Sequence, residues 1–129
     1  MNTFRPRFFL LGPSLLLAVI AGCSSSPQDC PVTGEVTLDG KPLPEAEISF
    51  NDQDTKIAPG VAPVTNGAFQ FSVKPGKKTV RVYARKLVPG TNPPMYNEAL
   101  PPRYNSESEL TADVTAGGAN KFTFALKSP

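Results

Sequence analysis

The sequence predicts an all-β protein, a seven-stranded antiparallel β-sandwich that follows an N-terminal targeting segment. Two observations predict the sandwich. From Val32 onward, apolar and polar residues alternate in short runs, which is the period of half-buried strands. Turn residues separate these runs at regular intervals, and no segment of helical period competes with them after residue 31. Seven short strands with regular turns are typical of two packed sheets.

The first two predicted strands cover residues 32–38 and 46–50. Asp39-Gly40 ends the first strand, because glycine adopts a positive φ at little cost. In the second strand Ala46, Ile48 and Phe50 alternate with polar residues, so one face is buried. A polar loop then follows.

The third and fourth predicted strands, residues 61–65 and 68–73, are joined by Asn66-Gly67. Asn-Gly between two alternating runs indicates a two-residue type I′ hairpin, which needs positive φ at both positions. Five phenylalanines fall on predicted inward faces and should form the core between the sheets: Phe50, Phe69, Phe71, Phe122 and Phe124.

The last three strands are predicted at residues 79–86, 110–114 and 122–126. Residues 87–109 separate the first two of these strands and contain five prolines, which oppose regular strand pairing. We therefore expect a long connection that crosses between the sheets. Tyr96 and Tyr104 are the side chains able to hold it in place.

The N-terminus has the pattern of a secretory signal peptide. Arg5 and Arg7 precede an uncharged apolar run at residues 8–20. A membrane-spanning helix needs about 20 apolar residues, so this run is too short to cross a bilayer. A basic head, a short apolar body and small residues before a cleavage point are features of an export signal.

The tetrapeptide Ile20-Ala21-Gly22-Cys23 resembles the lipobox of bacterial lipoproteins. The resemblance implies that the Cys23 thiol is lipidated and that the chain is cut before Cys23. It divides the chain into a cleaved lipoprotein signal peptide (1–22), a lipidated flexible tether (23–31) and a β-sandwich domain (32–129). Cys30 then has no partner for an intramolecular disulfide.

Cleavage would also change the charge and the location of the protein. Arg5 and Arg7 would leave with the signal, so that basic and acidic residues become equal in number and binding to nucleic acid is not expected. The mature protein would be extracytoplasmic and held to the membrane by the lipid on Cys23. Ser24 follows that cysteine in place of an acidic residue, which favours the outer membrane.

The segment VTGEVTLDGKPLPEAEISF resembles the opening of carboxypeptidase-regulatory-like domains, which are transthyretin-like (prealbumin-like) sandwiches. Asn66-Gly67-Ala68-Phe69 resembles a later hairpin of that family, and Pro75-Gly76 before alternating valines resembles another of its features. The resemblance implies the fold and a non-catalytic role. The matching residues are turn and core residues, so they imply no particular ligand.

The residue content is unfavourable to enzymatic chemistry. The chain contains no histidine, which removes the commonest general base and metal ligand. Glu45 and Glu47, with the acids of residues 51–54, leave a carboxylate-based hydrolase as a remote alternative. Residues 51–54 also resemble the start of a calcium loop, but the central glycine and the distant glutamate are missing, so a solvated loop is expected. We therefore predict a non-enzyme without cofactor or metal.

Basic residues are concentrated between Lys74 and Lys86, a stretch without any acid. One interpretation is a binding strip for an anionic glycan, lipid head groups or an acidic envelope protein. The other is that these bases face Glu45 and Glu47 across strands or are simply solvated. The candidate binding residues, including the two tyrosines of the long connection, are Arg81, Tyr83, Arg85, Lys86, Tyr96 and Tyr104.

These features together predict a membrane-anchored, non-catalytic lipoprotein of the cell envelope that serves as a binding or structural module. An accessory subunit of a larger envelope complex is the alternative.

Overall fold

The structure is a computed structural model that describes residues 28–129, and it is an all-β sandwich. Within these residues a single 3-10 turn, Pro102–Tyr104, interrupts the strands. The ten strands are β1 (Cys30–Leu38), β2 (Lys41–Pro42), β3 (Glu45–Asp52), β4 (Gly60–Thr65), β5 (Ala68–Val73), β6 (Gly76–Tyr83), β7 (Arg85–Val88), β8 (Met95–Glu98), β9 (Thr111–Val114) and β10 (Asn120–Leu126).

Within residues 28–129, eight strands form one curled sheet, seven of them in the order β10-β1-β5-β4-β3-β6-β9. Strands β4 and β5 pair only at Thr65 and Ala68, beside their turn, so the sheet opens there into two layers. One layer is β10-β1-β5, with the short β2 paired to β1, and the other is β4-β3-β6-β9. The phenylalanines of the two layers meet in the space between them.

The seven predicted strands correspond to β1, β3, β4, β5, β6, β9 and β10, and this confirms the all-β sandwich. One pairing differs from the predicted antiparallel arrangement, because β1 and β10 run parallel from Val32–Asn120 to Leu38–Leu126. The alternating pattern of a half-buried strand is the same in both orientations, so the sequence could not show this.

Both predicted two-residue turns have the backbone that their residues favour. Asn66 and Gly67 have φ of 51° and 78°, and Asp39 and Gly40 have 51° and 80°. Positive φ at both positions is the type I′ geometry of tight hairpins. The Asn66-Gly67 turn joins β4 to β5, and the Asp39-Gly40 turn joins β1 to β2.

Phe50 lies at the centre of the core and is fully buried. Its ring makes edge-on contacts with the four other core phenylalanines at centroid distances of 5.0–6.4 Å: Phe69, Phe71, Phe122 and Phe124. Edge-to-face packing at such distances is favourable for aromatic rings. The predicted phenylalanine core is therefore confirmed, with Phe71 and Phe122 at its partly buried margin.

Gly34 in β1 makes room for this core. A Cβ atom at this position would lie 2.2 Å from the Phe122 carbonyl oxygen and 2.5 Å from Phe69 Cζ. The absence of a side chain thus lets the Phe69 ring pack directly on the β1 backbone.

The predicted C-terminal boundary of the fifth strand, residues 79–86, is wrong. Strand β6 stops at Tyr83, and the chain continues as β7, which pairs with β8 in a separate two-stranded sheet. All five prolines predicted to prevent pairing lie outside these strands: Pro89, Pro93 and Pro94 occupy the connection between β7 and β8, and Pro101 and Pro102 follow β8. A hairpin therefore forms within a segment that the sequence predicted to be irregular.

Tyr104 holds the end of this segment against the sandwich. Its side chain is buried, and its hydroxyl oxygen accepts a hydrogen bond from the Lys127 backbone N–H at 2.9 Å. This confirms that Tyr104 fixes the connection. Tyr96 has no such role, because 61% of it is exposed. The prediction that the connection crosses between the sheets is wrong, because it joins β6 to its neighbour β9 in the same layer.

The strand register defines two ends of the sandwich. Cys30 pairs with Val73 at one end, which we call the N-terminal pole. Leu38 lies at the other end of β1, where Glu45 pairs with Thr65 next to the Asn66-Gly67 turn, and we call this end the distal pole. Nine residues of β1 at about 3.3 Å each place the poles about 30 Å apart.

Strand β1 begins two residues before the predicted domain boundary at Val32, so Cys30 and Pro31 belong to the sheet and not to the tether. The Cys30 thiol is buried and free. The predicted signal peptide and Cys23 lie outside the described residues. Within residues 28–129, no helix is long and apolar enough to span a membrane.

Candidate binding cleft

A cleft opens at the distal pole, where β6 separates from β3. The last paired residues there are Tyr83 of β6 and Glu47 of β3. The next residue, Ala84, turns its backbone to other partners: its N–H donates to Glu98 Oε1 at 2.8 Å, and its carbonyl accepts from the Ala99 N–H at 2.7 Å. These bonds direct β7 away from β3 and leave a gap between the two strands.

We call this gap the β3–β7 cleft. It has a volume of about 400 Å³ and is open to solvent. Its lining comes from β3, the end of β6 and the β7–β8 hairpin: Glu45, Ala46, Glu47, Tyr83, Arg85, Leu87 and Tyr96. This volume lies within the range of about 300–1,000 Å³ that is typical of small-molecule sites.

The cleft carries charges of both signs. Glu45 and Glu47 contribute carboxylates from β3, and Arg85 contributes a guanidinium from β7. Among residues 28–129, no ion pair shorter than 4.0 Å joins Arg85 to a carboxylate or either glutamate to a base. Hydrogen-bond acceptors and donors therefore face the same space and are available to a ligand.

Beside Arg85, the hairpin also contributes apolar and aromatic side chains to the cleft. Leu87 and Tyr96 are opposite each other in the β7–β8 pairing, and they are 57% and 61% exposed. Tyr83 is half-buried and contributes a second aromatic ring from the end of β6. Large exposed apolar side chains beside polar groups are characteristic of binding surfaces.

The structure brings three of the six predicted binding residues together, because Tyr83, Arg85 and Tyr96 all line the cleft. Lys86 is exposed and is paired with Asn97, but it does not line the cleft. Tyr104 is buried against the sandwich, which removes it from the exposed surface where the sequence placed it.

Arg81 lies farther along β6, opposite Ser49 of β3. It is half-buried and lines a separate depression of about 280 Å³, together with Asn51, Asp52, Thr55, Ile57 and Pro59. Its Nε atom is buried and has no hydrogen-bond partner within the described part of the chain. Arg81 therefore does not share a site with Arg85.

The basic residues from Lys74 to Lys86 do not form one strip. Lys78 points into the sandwich, only 1% of its side chain is exposed, and its Nζ lies 2.6 Å from Asp52 Oδ2. Lys74 lies at the N-terminal pole, 3.5 Å from Asp29. Two hydrogen bonds lower the pKa of Asp52: the one from Lys78 has the larger effect, and the one from the Asp54 N–H adds to it.

The loop considered as a calcium site uses its oxygens internally. Asp52 Oδ1 accepts from the Asp54 N–H and Asp54 Oδ1 accepts from the Lys56 N–H, both at 3.0 Å. In the described residues, no three His, Cys, Asp or Glu side chains are grouped so as to hold a metal ion.

From the sequence, Glu45 and Glu47 were interpreted as solvated or cross-strand charges, or remotely as hydrolase carboxylates. Ala46 was predicted only as an inward strand residue, and Leu87 was not identified. The local pattern offers no signal for them, because the cleft depends on how β7–β8 is placed beside β3. The sole indication was the exposed position of the two glutamates in an alternating strand.

Comparison with known proteins gives a family but no activity. A family model described as a protein of unknown function, DUF1416, matches residues 18–93. The match includes Cys23 and strands β1–β7, and it ends before Tyr96. No curated protein matches the chain, and no solved structure matches it either. Because the family model covers more than half of the sequence, the chain belongs to the DUF1416 family.

Proposed function

We propose that this protein is a non-catalytic lipoprotein of the cell envelope, anchored through lipid on Cys23, which presents a binding cleft away from the membrane. One observation carries the proposal: Ile20-Ala21-Gly22-Cys23 follows a basic head and an uncharged apolar run. The absence of histidine from the chain supports a binding role over a catalytic one. Ser24 after the cysteine favours the outer membrane.

The spacing between the anchor and the domain supports the orientation. Cys23 is seven positions before Cys30, the first residue of β1. Seven residues span at most about 25 Å when fully extended, which is shorter than the distance of about 30 Å between the poles. The N-terminal pole would therefore stay close to the bilayer, and the β3–β7 cleft would face away from it.

A second function, as an accessory subunit of a larger envelope complex, is favoured by the surface of the β7–β8 hairpin. Leu87, Met95 and Tyr96 all lie on this hairpin and are 57–61% exposed. Methionine and aromatic residues are enriched in protein interfaces. A subunit would use the hairpin as a docking element.

Detergent partitioning of the natively expressed protein tests the anchor. Two or more acyl chains hold a protein stably on a membrane, so the wild-type chain should enter the detergent phase and Cys23→Ala should remain in the aqueous phase. Cys30→Ala is the matched control, because it removes the other cysteine and should partition like wild type. An aqueous wild-type protein, or one that retains Met1 by mass spectrometry, would contradict the proposal.

A further inference from the structure

The β3–β7 cleft combines features that select the charge of a ligand. An anion would approach Arg85 but would also meet the carboxylates of Glu45 and Glu47. A cation would be attracted to the carboxylates but would meet the guanidinium. A neutral ligand that both donates and accepts hydrogen bonds avoids both conflicts.

A sugar has these properties, because each hydroxyl group is at once a donor and an acceptor. Neighbouring hydroxyls could donate to the Glu45 and Glu47 carboxylates while another accepts from Arg85. None of these three side chains is held within 4.0 Å of an opposite charge in the described chain, so none has to be released before binding. Hydrogen bonds to charged groups are also stronger than those between neutral groups.

The tyrosines supply the apolar part of such a site. A sugar ring presents C–H groups on its faces, and these are attracted to the negative face of an aromatic ring. Tyr96 stands exposed on the hairpin side of the cleft, and Tyr83 is half-buried beside it. The two rings and the three charged groups line the same cleft of about 400 Å³.

We propose that the β3–β7 cleft binds a neutral saccharide, with Tyr96 and Tyr83 contacting the ring faces and Glu45, Glu47 and Arg85 bonding the hydroxyls. This deepens the proposed function, since it rests on the cleft being a binding site, but it does not require the lipid anchor. It also replaces the anionic glycan expected from the sequence by a neutral one.

Tyrosine fluorescence of the purified full-length chain measures this binding directly. The chain has no tryptophan and three tyrosines, of which two line the cleft and Tyr104 is the background. The detergent should carry no sugar head group. Chitotetraose, cellotetraose and maltotetraose are the neutral probes, with heparin and a zwitterionic tripeptide as charged comparisons.

We expect saturable binding of at least one neutral tetrasaccharide, with an affinity that changes less than about twofold between 0.1 and 1 M NaCl, because salt screens only charged ligands strongly. Tyr96→Ala should weaken binding about tenfold or more, as truncation of a central aromatic contact does. Tyr96→Phe keeps the ring and should stay within about threefold of wild type.

Met95→Ala is the matched control for Tyr96→Ala. Met95 is the preceding residue of β8, is exposed to nearly the same extent (60%) and does not line the cleft. Its substitution should leave the affinity unchanged. An equal loss in Met95→Ala and Tyr96→Ala would overturn the proposed contact.

Three further outcomes would overturn the proposal that the cleft binds a neutral saccharide. They are no response to any of the three tetrasaccharides, binding of heparin alone with strong salt dependence, and binding of the tripeptide alone. Each would leave the anchor untouched, because partitioning depends on Cys23. Conversely, if the natively expressed wild-type chain proved to be unlipidated but still bound a tetrasaccharide, the proposed lipid anchor would be refuted and the proposed saccharide site would stand.

Discussion

Lys78 is the buried charged side chain of the described domain, and its environment explains how a base enters a β-sandwich. It shares the inward face of β6 with Val80 and Val82, at the N-terminal pole of the core. Its ammonium group is 2.6 Å from Asp52, which is 19% exposed. A buried charge is tolerated only when it is paired, so Asp52 is needed to keep Lys78 in place.

The two members of this pair should differ in their response to substitution. Asp52→Asn leaves a buried ammonium without its counter-charge, and we expect the melting temperature to fall by roughly 5 °C or more. Lys78→Met fills the same space with an apolar side chain and leaves a carboxylate that water can reach. Its melting temperature should therefore fall less, and thermal unfolding followed by circular dichroism compares the two. An equal or larger loss in Lys78→Met would contradict this description of the pair.

The pair also predicts the direction of a pH effect. Because folding lowers the pKa of Asp52, its contribution to stability is present above the unfolded value of about 3.9 and is lost as the pH falls through the folded value. Between pH 5 and pH 2, Asp52→Asn should therefore lose less stability than wild type.

For single residues, the sequence predicted which side of the sheet a side chain lies on better than it predicted which side chain pairs with it. Alternation places Lys78 on the same side as Val80 and Val82, but the cluster of bases around it suggested an exposed strip. The pairing of Asp52 with Lys78 depends on the register between β3 and β6, and no local pattern specifies that register.

Among the elements, the β7–β8 hairpin departs most from expectation. The alternation of β6 continues through Ala84 and Arg85, so the sequence gives no reason for a break at that point. The break is produced by Glu98, which is fourteen positions away and accepts hydrogen bonds from the Ala84 and Leu100 N–H groups. A contact of this kind becomes visible only in the folded chain.

Removal of the Glu98 carboxylate should loosen this junction. In Glu98→Ala the Ala84 and Leu100 amides lose their acceptor, so they should exchange with deuterium faster than in wild type. Amides of β1 and β10, which pair with each other in the other layer and not with the hairpin, should keep their protection and serve as the internal reference. Unchanged exchange at Ala84 and Leu100 would show that the junction does not depend on Glu98.

At the scale of the whole molecule, the sequence predicted the architecture well and the cleft only in part. Each turn dipeptide, and the alternation that turns each phenylalanine inward, is a pattern of neighbouring residues, so both are readable without coordinates. Tyr83, Arg85 and Tyr96 were identified as candidate binding residues. Glu45 and Glu47 join them only because β3, the end of β6 and the hairpin border the same cleft at the distal pole. Sites assembled from distant strands cannot be derived from periodicity.

The arrangement of the two poles is the central claim, since it combines the anchor with the exposed cleft. Ala116 lies beside Cys30 and Pro31 at the N-terminal pole, whereas Met95 lies on the hairpin that flanks the cleft. A fluorescent label can be placed at either position as Ala116→Cys or Met95→Cys, in a lipidated chain that also carries Cys30→Ala. Both positions are exposed, so labelling should not disturb the core.

Quenching of these labels by nitroxide-headgroup lipids, in vesicles that carry the lipidated protein, tests this claim most directly. We predict strong quenching at position 116 and little at position 95, because the tether keeps the N-terminal pole near the bilayer while the cleft faces away. Equal quenching at both positions, or stronger quenching at position 95, would contradict the account.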